Sequence, residues 1–71
     1  MRDYKERVKE YRTLCLLREK GAYIEIGYVD GVVTSFYESY LGMSSHYLQE
    51  YVGMDLVRVV DFLVECEWRV S

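Results

Sequence analysis

The chain has 71 residues, a formal net charge of −3, eight tyrosines, two cysteines and no proline, and 51% of it is apolar. A chain this short makes one small domain, 1–71, with a thin core: about 60% of its unfolded surface is buried, and a disulfide, a metal or a second copy often supplies the rest of its stability. Its apolar and aromatic content excludes disorder, and no apolar run reaches the roughly 20 residues of a membrane span.

Charge is unevenly distributed. Residues 1–29 carry seven basic and five acidic groups, a balance of +2, whereas residues 30–71 carry two basic and seven acidic groups, a balance of −5. The N-terminal stretch MRDYKERVKEYR has no apolar core of signal-peptide length, so the chain is expected to be cytoplasmic. In that compartment Cys15 and Cys66, far apart and without a CxxC or Cys/His partner, are expected to be free thiols.

In chain order, the spacing of Tyr4, Val8, Tyr11, Leu14, Cys15 and Leu17 predicts a helix over 3–20. The pairs Arg2–Glu6 and Asp3–Arg7 support its exposed face, and Gly21 is its stop. AYIEIGYVDGVVTSFY then alternates with period two around Asp30-Gly31, the residue pair that a type I′ hairpin turn requires. Pairing Val29 with Val32 predicts one inward face made of Ile24, Ile26, Tyr28, Val33 and Tyr37.

Ser44 and Ser45 can cap a short helix over 45–52, ended by Gly53, with Tyr47, Leu48, Tyr51 and Val52 inward. Asp55 can cap a last helix whose apolar side is Leu56, Val59, Val60, Phe62, Leu63 and Cys66, with Arg58, Asp61 and Glu65 on a polar stripe. The valines there allow a strand as the alternative for 56–66. The expected fold is α+β with element order α-β-β-α-α.

The groups that catalysis needs are sparse. His46 is the sole histidine, no glycine-rich phosphate cradle is present, and both cysteines lie on apolar stripes. No catalytic residue, metal ligand or cofactor site is assigned, and the chain is read as a non-enzyme.

Around Gly42, the apolar positions Tyr37, Leu41, Met43, Leu48 and Tyr51 resemble the spacing of a helix-turn-helix over about twenty residues. That resemblance would imply a DNA-binding regulator. Glu38, however, stands where the two helices of that motif cross closely. The recognition positions Ser44, Ser45, His46, Gln49 and Glu50 offer no arginine or lysine to neutralise phosphate. The charge therefore argues against direct nucleic-acid binding.

The favoured reading is a small acidic inhibitor or adaptor that binds a basic protein, such as a DNA-binding host protein, and can do so by DNA mimicry. In style it resembles the short proteins with which phages disable host factors. The expected partner-binding residues are Glu38, Glu50, Asp55, Asp61, Glu65 and Glu67, with Tyr37, Tyr40 and Tyr47 supplying contact area. A homodimer is expected from the small core, and no membrane partner.

Overall fold

The computed structural model describes residues 11–40 and 45–71. It is built on a five-stranded antiparallel sheet of order β4-β3-β2-β1-β5. The strands are β1 (Arg12–Arg18), β2 (Ala22–Val29), β3 (Val32–Ser39), β4 (His46–Tyr47) and β5 (Arg69–Val70), and one helix, α1 (Leu56–Glu65), precedes β5. This overturns the α-β-β-α-α order.

The largest correction falls on the predicted N-terminal helix. Its residues 12–18 form β1, paired with β2 from Arg12↔Tyr28 to Arg18↔Ala22; its residues 3–10 lie outside the described part. Leu14, Cys15 and Leu17 satisfy a helical spacing, yet the run LCLL is apolar on both sides, which is equally the mark of a strand in contact on both faces. The deciding residue is Leu16. It sits outside the helical stripe and is fully buried in the core. Gly21 is not a helix stop but part of the β1–β2 turn, in which Lys20 and Gly21 both hold positive φ.

The second hairpin forms as its turn residues require. Asp30 and Gly31 have φ of +54° and +75°, and Val29 pairs with Val32. Its inward face, however, changes partway along. Between Gly27↔Ser35 and Tyr28↔Val33 the register slips, leaving Thr34 as an extra residue in β3. One inserted residue inverts the side-chain alternation beyond it. Phe36 therefore points into the core and Tyr37, predicted inward, points out at 43% exposure.

The predicted helix over 45–52 is absent. Residues 46–47 are β4, 49–51 make a single 3₁₀ turn, and Tyr47 is exposed; Ser44 lies outside the described part. The segment instead follows the outer edge of β3. Leu48 N–H donates to the Phe36 carbonyl (2.9 Å), Gly53 N–H to Val33 (2.8 Å), and Val33 N–H to Met54 (2.9 Å). These bonds satisfy the β3 edge, a stronger demand than the helical preference of eight residues. They also carry the chain to Asp55, whose side chain accepts from Arg58 N–H as the cap of α1. The helix reading of the last segment is correct for 56–65, and its strand alternative is not.

Helix α1 lays Val59 and Leu63 onto the sheet face formed by Leu16, Ala22, Ile24, Ile26, Val33 and Phe36. It ends in a Schellman motif. Glu67 N–H donates to the Val64 carbonyl and Trp68 N–H to the Leu63 carbonyl, with Glu67 itself at φ +74°. Trp68 thereby folds back to close the core beside Leu63.

A glutamate in the left-handed region costs about 1 kcal/mol, a cost glycine avoids, offset in part by glycine's greater chain entropy. Glu67→Gly is expected to raise the melting temperature by about 2–6 °C in calorimetry. A lowered melting point would contradict the helix end described.

Candidate functional site

The sheet separates the predicted site residues into two groups. Tyr37 and Tyr47 face each other across β3 and β4, ring centroids 5.0 Å apart and edge to face. By strand alternation they lie on the side of the sheet away from α1. That side is otherwise formed by Cys15, Leu17, Tyr23 and Glu25, with the Tyr11 ring seated against Gly27 and Ser35. A side chain at Gly27 would collide with that ring, so the tyrosine depends on the glycine.

On this face the Cys15 Sγ and the Tyr23 hydroxyl are hydrogen-bonded at 3.1 Å. The bond to Cys15, then partial burial and the nearby Cys15 and Glu25 charges, push Tyr23 from 10.0 up to about 12. A phenol raised in the folded state contributes stability that is complete below pH 10 and is lost as pH rises toward 12. Cys15→Ala should return Tyr23 toward the ordinary tyrosine range, read from its ring-carbon NMR shift against pH. An unmoved titration would mean that Cys15 is not the cause.

The acidic residues gather differently. Glu38 lies on the helix side of β3, opposite Ile24, and accepts a hydrogen bond from the Tyr40 hydroxyl. Tyr40 and Glu38 are thus joined, and this bond raises the tyrosine's pKa. Asp55 is committed to capping α1. Asp61 and Glu65 are exposed on the outer surface of α1, and Glu50 is exposed in the 3₁₀ turn. Glu67 sits in a polar cleft of about 300 Å³ with Arg18, Glu19 and Arg69.

Beside that cleft opens a groove of about 200 Å³. Phe36 and Tyr51 stack at 4.4 Å between centroids in one part of it, and Phe62, Trp68, Leu48, Leu63, Ile24 and Cys66 complete its apolar lining. Arg18 and Glu38 are its two charged members. The Arg18 guanidinium lies over the Trp68 ring at 5.3 Å, and Arg18 also lines the polar cleft, so the two depressions adjoin. Burial, followed by the Glu50 and Glu38 charges, raises the Tyr51 pKa.

Of this lining, the sequence reading had singled out Glu38 alone as a site residue. Phe36 was hidden by the bulge at Thr34, and Trp68 by a helix end that carries glutamate where glycine usually marks the stop. The one available signal was the lone tryptophan just beyond the last helix, close in sequence to Cys66.

The geometry required by the helix-turn-helix resemblance is not formed: residues 37–39 belong to a strand and 46–47 to another. Among the described residues no three histidine, cysteine or carboxylate side chains gather as metal ligands, and no helix is long and apolar enough to cross a membrane. No family model, no curated protein and no solved structure matches this chain.

Proposed function

We propose that this protein is a non-enzymatic inhibitor or adaptor that binds a basic protein through the helix side of its sheet. The observation that carries this reading is Glu38, held by Tyr40 at a groove lined by Phe36, Tyr51, Phe62 and Trp68. Binding energy at protein interfaces concentrates in pockets of aromatic and aliphatic contact surrounded by a polar rim. The groove has that composition, and the elements around it carry Glu50, Asp61, Glu65 and Glu67.

Its size supports the same reading. Small-molecule sites generally offer about 300–1,000 Å³, and the apolar groove measures about 200 Å³, the scale of a single large side chain. A nucleic-acid-binding protein is the partner class that best fits the acidic half. Carboxylates would then stand where phosphates otherwise do, as in DNA mimicry. Association of this kind is steered by complementary charge and weakens with salt.

The test uses immobilised protein and a cell lysate at low and high salt. The wild-type chain should retain basic proteins, release them as salt rises, and lose them to added duplex DNA in competition. The double substitution Glu38→Lys/Glu65→Lys should reduce retention by about tenfold, corresponding to roughly 1.4 kcal/mol. Equal retention by both forms, or a direct shift of labelled duplex by the wild-type chain, would contradict the proposal.

A further inference from the structure

The side of the sheet away from α1 differs in composition from the rest of the molecule. Leu17, Val32, Tyr37 and Tyr47 lie on it by strand alternation and stand 41–47% exposed. The Tyr11 ring fills the space over Gly27 where a side chain would otherwise stand. Charged residues make up 30% of the chain. Yet among the described strand residues this side carries one carboxylate, Glu25, and one cation, Arg69, which shares the side with its pairing partner Leu17.

We propose that this side of the sheet is the interface of a homodimer, in which two copies pack face to face across a two-fold axis. The proposal does not depend on the binding function given above.

Size, composition and charge each favour a second copy. Five strands about 4.8 Å apart, the longer ones about 25 Å long, give a footprint of roughly 500 Å² per copy. The pair then covers roughly 1,000 Å², the least that a specific interface needs. Homodimer interfaces are rich in aromatic and aliphatic groups and poor in charge, as this side is. The chain's own first ten residues, MRDYKERVKE, carry seven charges and match it badly. A basic partner is matched by Glu38 and the α1 carboxylates, on the opposite side.

The two charges that remain complement each other between copies. Within one chain β1 separates Glu25 on β2 from Arg69 on β5. Their midpoint lies over β1, between Cys15 and Leu17. A two-fold axis between the sheets at that point, oblique to the strands, sets Glu25 of each copy against Arg69 of the other, and does so twice. A carboxylate covered by an interface needs such a partner. The groove at Phe36, Glu38 and Trp68 stays outward on both copies, so a dimer presents it twice.

Sedimentation equilibrium in reducing buffer, over a range of protein concentrations, tests the interface. The wild-type chain should show a monomer–dimer equilibrium. Leu17→Arg and Tyr37→Arg, each at an exposed position, should raise the dissociation constant about tenfold or more, with the far-ultraviolet circular dichroism unchanged. Glu25→Arg and Arg69→Glu should each weaken the dimer, and the two together should restore it toward the wild-type affinity. Phe62→Arg, on the helix side, should leave it unaltered. A monomer at every concentration, a dimer indifferent to Leu17→Arg and Tyr37→Arg, or one lost on Phe62→Arg would overturn the interface. A double exchange no better than either single change would overturn the Glu25–Arg69 pairing that defines the two-fold arrangement.

Discussion

One short helix has to cover an apolar sheet face larger than itself, and the rest of the structure follows from that mismatch. The ten residues of α1 span about 15 Å, whereas strands of seven or eight residues extend about 23–27 Å. Val59 and Leu63 seal the middle of the face, over Leu16, Ile26 and their neighbours. Beyond them the covering is assembled from single side chains. Tyr51 and Leu48 come from the segment along the β3 edge, and Trp68 comes from the chain reversal after α1. A covering made of separate pieces leaves a gap, and the aromatic groove is that gap.

The same mismatch gives the polar groups their roles. Glu38 is on the helix-facing side of β3, where a residue under a full cover would be apolar; at the uncovered end it accepts a hydrogen bond from the Tyr40 hydroxyl. Arg18, at the end of β1, holds its guanidinium over the Trp68 ring at 5.3 Å. Neither residue is explained by the folding of the core alone. Both become intelligible as parts of a recess that is partly wet and carries charge of both signs.

What could be read in the sequence depended on how local the governing interaction was. The Asp30-Gly31 turn and the Asp55 cap are decided within a few residues, and both form as read. The strand Arg12–Arg18 is decided by its pairing with β2 and by Leu16 entering a core assembled from distant residues. Periodicity could not weigh those contacts, because LCLL fits a helix and a strand equally well. The replacement of Tyr37 by Phe36 in the core turns on one extra residue at Thr34, a slip that no alternation pattern announces. The acidic bias of the second half was plain from composition. Its division between the outer surface of α1, the groove and the polar cleft required the topology.

The claim on which this account rests is that α1 leaves the aromatic end of its sheet face open. Relaxation of side-chain NMR signals by a soluble, uncharged paramagnetic agent tests it most directly. The ring protons of Phe62 and Tyr51 should broaden strongly, while the methyl groups of Leu16, Ile26, Val59 and Leu63 stay protected. Equal protection of Phe62, Tyr51 and the core methyl groups would mean that the face is sealed and that the groove does not exist in solution.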